Sequence, residues 1–429
     1  MRSSGQSSKP RIDDLCCGPA YGLRQMGPAM IRRICLTLSL LLLVSLPSAA
    51  WATCGDGASA CYGISGNWNV NTSWSATQSP RTSCTCTPAT GDSIVLDSLT
   101  GNMTVNAAFS IANLDASGGS GGSGSPYTGT LILNTGTTLT VTGTVFKLSS
   151  GMTFTPAAPI TSVIAFTGAG TLAFTSAGRT IGSLTENGTG TIQLQDAFNG
   201  NSNTSSVLTL TQGTFNDNGQ TVGIANFATT SASTKALTMS GAWTINGTNS
   251  TVWDAATGTN LTVTATGSTL NVVSSAAKTF AGGGKTYGTV NFGPSTGFYI
   301  LSGANTFASL GLVAPVNIRF PSSTTTTITN AFAWLGTTSG QISMQGSTTD
   351  TTATVHATGG GTMTYAGIKD MTFNTGTVTA TNSFDFQGNS GVTITPPSGG
   401  GGSIIGGFIF NRDLRHDNDN SLAWVNRAG

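Results

Sequence analysis

A segment that occurs three times restricts the fold of this chain more than any other feature. It reads FTSAGRTIGSL from Phe174, FNDNGQTVGIA from Phe215 and FAGGGKTYGTV from Phe280. Each copy is a phenylalanine, a short small or polar run, a glycine, and then x-Thr-apolar-Gly. The aligned positions are Phe174, Phe215 and Phe280; Gly178, Gly219 and Gly284; Thr180, Thr221 and Thr286; and Gly182, Gly223 and Gly288. The copies start roughly 41 and 65 residues apart, which suits two and three coils of about 20–22 residues, the scale of short solenoid repeats. Compact sandwiches do not usually repeat their sequence in this way. In a coil the phenylalanine stacks in the core and the glycine takes a tight corner. The residue after that glycine then faces solvent, so Arg179, Gln220 and Lys285 can interchange.

The intervening sequence agrees. Stretches such as TLILNTGTTLTVTG, VLTLTQGTF, LTVTATGSTLNVV and GTVTATNSF alternate apolar residues with Thr or Ser and are punctuated by Gly and Asn, the pattern of short half-buried strands. No segment has helical periodicity of useful length. Charged residues make up only 8% of the 429, against roughly a quarter in ordinary soluble domains. Low charge with 58 glycines would suit disorder, but 38% of residues are hydrophobic and they recur in short β-branched and aromatic runs. Such a chain can bury a core. It is expected to be folded and all-β.

The net charge of +1 conceals an asymmetry. Arg2, Lys9, Arg11, Arg24, Arg32 and Arg33 precede residue 53 and are opposed only by Asp13 and Asp14. The remainder is mildly acidic, about −3 by formal count, and cannot offer the basic surface that nucleic acid requires.

That basic N-terminal stretch contains an export signal. Met30-Ile31-Arg32-Arg33 leads into an apolar run from Ile34 to Leu46, Pro47 follows, and Ala50-Trp51-Ala52 has the small-x-small form read by signal peptidase. The apolar run falls short of the roughly 20 residues that span a bilayer, so cleavage after Ala52 is expected, with no transmembrane segment left. Residues 1–29 are expected to be an extension of the gene model, and 30–52 the signal peptide. Cys54 does not follow a lipobox, because Trp51 and Thr53 stand at −3 and −1.

Residues 53–117 read as an N-terminal Cys/Trp-rich cap, 118–395 as solenoid repeats, and 396–429 as a Gly-rich linker with a C-terminal cap or tail. Cys54, Cys61, Cys84 and Cys86 suit two disulfides in an exported chain. A direct Cys84–Cys86 bridge would be strained, which favours joining each of these to Cys54 or Cys61. Zinc is disfavoured, because Cys-x-Cys is an unusual ligand spacing and no histidine is near. The first coil of a solenoid exposes an apolar end and raw strand edges, and a cap must cover them. Trp68 and Trp74 suit that cap; their alternative role is stacking on a sugar ring. The run Gly118–Gly124 reads as a flexible loop or short linker. Beyond Pro396-Pro397, Ile404–Phe410 and Leu422–Val425 suit a terminal cap or a docking tail.

The opening GNWNVNTSW…GDSIVLD, the KTFAGGGKTYGTVNF repeat and the closing MTYAGIKDMTFNTGTVTATNSFDFQGNSG resemble Gly/Ser/Thr-rich β-helix repeat proteins, found among exported bacterial and phage-tail-associated proteins. The resemblance spans most of residues 64–391. It implies a right-handed parallel β-helix (β-solenoid), here with a disulfide-containing N-terminal cap, and surface or adhesin-like roles without a particular chemistry.

Parallel β-helices also carry polysaccharide lyases and hydrolases, which need convergent carboxylates or a carboxylate with a metal and a base. The chain past residue 52 has a single glutamate, Glu186, and within the solenoid Asp196, Asp217, Asp254, Asp350, Asp370 and Asp385 stand singly. Asp217 and Asp385 occupy turn-like settings, where aspartate usually bonds its own backbone. His356 reads as a solvent-facing strand residue. Lys369-Asp370 is the best enzymatic pair, but adjacent strand residues point to opposite faces. Asp413, His416, Asp417 and Asp419 lack the glycine and glutamate of a calcium loop. Thr-x-Thr rows such as Thr262/Thr264/Thr266 and Thr324–Thr327 suggest hydroxyl ladders of the kind ice-binding solenoids use, although threonine is also simply a good strand residue. No catalytic, cofactor or metal site is assigned. The expectation is a secreted or cell-surface structural or adhesin-like protein whose partner is a polysaccharide or another surface component. The alternatives are a β-helix lyase or hydrolase, and a phage tail protein.

Overall fold

The structure is a computed structural model that describes residues 54–398, apart from 120–121, 157–161 and 202–203. The described residues form an all-β chain of parallel sheets, the arrangement of a β-solenoid. Its only helical element is a 3-10 turn, Asn71–Ser73. Among the named strands, pairing is parallel everywhere except where Trp74–Ser75 folds back on Ala60–Gly63.

Sheet I runs almost the length of the solenoid, with 13 strands from Phe109–Ile111 to Phe384–Asp385. Sheet II has 10 strands between Ala60–Gly63 and Leu261–Thr264. The third side is sheet IV over the first coils, Gly66–Asn67 to Thr153–Pro156, and then the 9-stranded sheet III, Phe198–Asn199 to Met371–Asn374. The early coils pass from sheet I to sheet II to the third side, except that Val163–Phe166 and Thr171–Thr175 are followed directly by the next strand of sheet I, Ser183–Glu186. After Leu261–Thr264 sheet II stops and the chain turns straight from sheet I to sheet III. From Phe332–Leu335 a new side, the 4-stranded sheet V, is inserted between sheet III and the next strand of sheet I. Register steps along sheet I range from about 17 residues (Gly367 to Phe384) to about 30 (Phe109 to Leu139), because loops of different length are tolerated at the corners while the strands stay in register.

The in-register steps stack like positions on like. One inward column of sheet I is Leu139, Ile164, Leu184, Leu208, Phe227, Trp253, Phe280 and Leu301. All eight are buried. The rings of Phe227, Trp253 and Phe280 lie face to face, with centroids 4.3 and 5.8 Å apart.

The repeated segment marks a corner rather than a face. Phe174 and Phe215 lie in sheet II, Phe280 in sheet I. The three copies therefore do not form one stack of phenylalanines, although each ring is buried. What they share is a tight turn, which leads into sheet III in the second and third copies and, in the first, only to the isolated bridge between Thr180 and Asn199 before the chain enters sheet I. Ala177-Gly178, Asn218-Gly219 and Gly283-Gly284 all have positive φ at both residues. The following N–H bonds back across each turn: Arg179 to Ser176 O, Gln220 to Asp217 O and Lys285 to Gly282 O, at 2.9, 2.8 and 3.3 Å. Two left-handed residues closed in this way form a type I′ turn, which favours Gly or Asn, Ala177 being the one departure. Thr180, Thr221 and Thr286 follow on the outer side. Of the last aligned glycines, Gly182 has positive φ whereas Gly223 and Gly288 do not. Arg179, Gln220 and Lys285 are half-buried.

The cap and the repeats share one sheet, since Ala60–Gly63 continues through Ser93–Val95 and Asn113–Asp115 to Val145–Lys147. The described part of the Gly-rich run is pinned to it: Ser123 N–H donates to Asp97 at 2.8 Å and Gln78 donates to Gly122 O. Asp97 in turn holds Arg81 at 2.5 Å in a buried ion pair. The expectation of a free linker does not hold for these described residues, because Asp97 and Gln78 hold them.

Several interior polar groups are satisfied at the corners. Asn226, Lys278, Tyr299 and Asn317 each stand at or near the start of a sheet I strand and send a donor to the loop of the preceding coil. The acceptors include Ser206 O (3.0 Å), Thr248 O (2.7 Å), Ser274 O (2.9 Å) and Ser295 O (3.2 Å). Asp217, fully buried, accepts from Ser240 N and Oγ, Gly241 N, Trp243 Nε1 and Gly219 N, all at 2.8–3.0 Å. Asp217→Ala would strand these donors and is expected to cost about 3 kcal/mol, read as a lowered urea midpoint. Asp217→Asn, which keeps an acceptor, should fall between.

Candidate functional site

The sequence candidates divide into buried structural groups and an exposed threonine lattice. Trp68 and Trp74 have no exposed surface. Their rings meet edge to face at 5.3 Å, Trp68 packs on Phe109 at 5.6 Å, and Trp74 Nε1 donates to Trp68 O. Burial under the first coil removes both from any sugar-stacking role. Cys54 is bonded to Cys61, and Cys84 to Cys86, so the pairing differs from the crossed one expected. Thr85, with φ of 52°, bends the chain so that the Cα atoms of its two neighbours stand 5.2 Å apart, closer than the roughly 6.7 Å of an extended strand. Asp92, fully buried, fastens this region by accepting from Gly55, Ser59 and Ala89 N–H at 2.7–3.1 Å.

The solenoid aspartates are bound to backbone. Asp196 accepts from Ser176 and Ala177, Asp254 from Ala256 and Thr257, and Asp385 from Gln387. Lys369 and Asp370 do come together, contrary to the alternation expected, at 3.7 Å. Asp370 leaves the strand with φ of 52°, which swings its carboxylate back to the lysine's side. Asp350 is on the same ammonium at 3.5 Å and is largely exposed, so the trio is an open ion-pair cluster without an enclosing cleft. His356 is outward on sheet III, between Thr327 and Asn374. His416, the Asp413–Asp419 cluster and the tail from residue 399 lie outside the described residues, as does the signal segment.

Glu186 is the exception among the acids. It occupies an inward column of sheet I between Phe166 and Leu210 and has no exposed surface. One oxygen accepts from Gly188 N–H at 2.9 Å and the other has no partner among the described residues. Burial pushes this carboxyl from its ordinary value of 4.5 up to about 9, with the Gly188 bond opposing the shift. Lys235 and Lys278 are also buried, which lowers their pKa. Lys235 Nζ is held by Ser231, Ser233 and Thr259 carbonyls, so it too serves a corner.

The most regular exposed feature is the outer face of sheet V. Thr362, Thr379 and Thr393 form one column below Ala333, and Thr364, Thr381 and Thr395 form the next below Leu335. In-register strands put these side chains about 4.8 Å apart between coils and about 6.7 Å apart along a strand. Thr364 Oγ1 donates to Gly336 O at 3.0 Å, while the other five hydroxyls have no partner among the described residues. None of the four strands carries a charged residue. A shallow cleft of about 470 Å³ opens beside them, lined by Phe332, Ala333, Gly361, Thr362, Thr377 and Thr379. Gly361 is required there because a Cβ would sit 2.3 Å from the Phe332 ring. Thr262 and Thr264 head comparable but mixed columns on sheet II, with Ala236, Thr214 and Thr191 below the first. Thr326 turns inward, so Thr324–Thr327 presents only alternate hydroxyls.

No family model, curated protein or solved structure matches the chain. No helix among the described residues is long and apolar enough to cross a membrane.

The buried acid makes a measurable demand on pH. Glu186 binds its proton more tightly folded than unfolded, so its share of stability is complete below about pH 4.5 and declines as pH rises towards 9. In mid-window the slope is about 1.4 kcal/mol per pH unit. Glu186→Gln is expected to remove that slope and raise the thermal midpoint at pH 8, as melting curves between pH 4 and 10 would show.

Proposed function

We propose that this is an exported, non-enzymatic structural or adhesin-like protein of the cell surface or extracellular space, which holds an uncharged polysaccharide along the outer face of sheet V. The observation that carries the reading is the two-by-three threonine lattice, Thr362/Thr364, Thr379/Thr381 and Thr393/Thr395, with its adjoining cleft. Repeated unpartnered hydroxyls suit a ligand that is itself a repeat of hydroxyls. Many weak contacts in parallel then supply the affinity that one deep pocket would otherwise provide. The absence of charge on these strands disfavours uronic-acid or sulfated polymers. The backbone bonds made by Asp196, Asp217, Asp254 and Asp385 support a structural over a catalytic use of the acids. A right-handed winding follows from the strong handedness of parallel crossovers, and export from the signal at residues 30–52 with cleavage after Ala52.

Mature protein beginning at Thr53 is expected in culture supernatant or a surface fraction, and to sediment with insoluble neutral glycans such as cellulose, chitin or β-1,3-glucan. Placing lysines at Thr362, Thr379 and Thr393 together should weaken that binding by roughly tenfold or more, while lysines at Thr191 and Thr214 on sheet II leave it unchanged. Equal loss from both sets of substitutions, or release of unsaturated or new reducing ends from any glycan, would sink the reading.

A further inference from the structure

The two ends of the solenoid are finished differently. At the first coil, Trp68 and Trp74 are sealed beneath the cap. At the last, Thr393–Thr395 ends sheet V, Phe384–Asp385 ends sheet I and Met371–Asn374 ends sheet III among the described residues. One inward column of sheet V runs Trp334, Met363, Ala380 and Ile394. The first three are buried, whereas Ile394 and, two residues earlier, Val392 are half-buried. A cleft of about 260 Å³ opens there, lined by Ser383, Phe384, Asp385, Val392, Ile394 and Pro396. An apolar layer with bare strand edges promotes association unless a further element covers it.

The order of the coils says which residues come next. Late coils pass from sheet III to sheet V to sheet I, so the strand due after Thr393–Thr395 belongs to sheet I. Steps along sheet I run from about 17 to about 30 residues. Counted from Phe384, they place the start of that strand between about residue 401 and about residue 414. The uncharged run IIGGFIF occupies 404–410, inside that window. Its lead from Thr395 is roughly eight residues, against roughly six from Leu335 to Ile342 at the same corner, a difference that solenoid corners tolerate. Arg412, Asp413, Arg415, Asp417 and Asp419 follow at once, which suits the polar outer face of a terminal repeat. Asp385 does not bar a strand over it. Its Oδ1 already accepts from Gln387 N–H and Asn389 Nδ2 at 2.8 and 2.7 Å, much as buried Asp217 is satisfied by its own donors. We infer that residues 404–410 form the last strand of sheet I, laid parallel on Phe384–Asp385, with their large side chains in the cleft over Val392 and Ile394. The occupant is the chain's own tail and not a second copy, because the tether gives it an effective concentration of the order of millimolar.

Hydrogen exchange of the purified full chain, read by mass spectrometry, tests this closure. Amides of residues 404–410 are expected to exchange roughly a hundredfold or more slower than in an unstructured peptide. That protection should stay constant over a roughly fiftyfold range of protein concentration, as an intramolecular contact requires. Ile394→Asp should remove it while Val316–Phe320, several coils earlier, stays protected. The reciprocal variant Phe408→Asp lies outside the described coils and cannot unfold them. It should speed exchange at Thr393–Thr395 and leave Val378–Thr381 unchanged. Exchange of 404–410 at the unstructured rate would overturn the inference, as would exchange at Thr393–Thr395 that Phe408→Asp does not alter. Protection that falls on dilution would overturn it too, and would assign the end of the solenoid to a second copy.

Discussion

Parallel pairing in register is the constraint on which the rest of this molecule depends. When each coil lays its strand beside the corresponding strand of the last, every inward position becomes a column, and the column is only as good as its worst member. Leu139 through Leu301 form such a column without interruption. The column through Phe166, Glu186 and Leu210 shows the cost of a departure, since burial there pushes the carboxyl's pKa up and favours the neutral acid. Outward positions are columns too, which makes a threonine face a property of register as much as of composition.

Register also decides where irregularity can go. Steps along sheet I vary widely, but the variation is confined to corners, where backbone groups lose their ladder partners. Each corner is repaired by whatever donor or acceptor reaches it. Asn226, Lys278, Tyr299 and Asn317 do the same work with four different side-chain chemistries, and Asp217 does the complementary work as an acceptor. This is why a chain with so few charged residues uses several of them inside. Their pattern in the sequence looks scattered because corners recur at uneven intervals.

The same division separates the parts of the surface. Where corners consume polar side chains, Asp196, Asp217, Asp254 and Asp385 are tied to backbone N–H groups. Where outward residues are not consumed, hydroxyls remain without a protein partner, as for five of the six threonines on the outer face of sheet V. The cap stands apart from both, because it ends the stack and has no preceding coil to supply partners. Two tryptophans, an Arg81–Asp97 pair, Asp92 and four cysteines take the place of that missing coil.

The all-β class, the coil-like repeat and the tight glycine corners were legible in the sequence, because alternation and Gly-x-Thr-x-Gly spacing are local consequences of strands and type I′ turns. The side on which each copy falls was not. Phe280 lies in sheet I and Phe174 in sheet II because sheet II ends at Thr264, an event set by how later coils close and not by any residue near Phe280. Thr362/Thr364, Thr379/Thr381 and Thr393/Thr395 were readable as Thr-x-Thr pairs, but their alignment into a lattice depends on unequal loops between them. Trp68 and Trp74 were readable as cap residues, with sugar stacking as the alternative that their burial removes. The partnership of Lys369 with Asp370 escaped the alternation rule because a single left-handed residue reverses a side chain. Local sequence determined the strands and turns of this protein. Tertiary structure alone decided which of them stack, since stacking is a long-range balance among coil lengths, corner bonds and the columns they must complete.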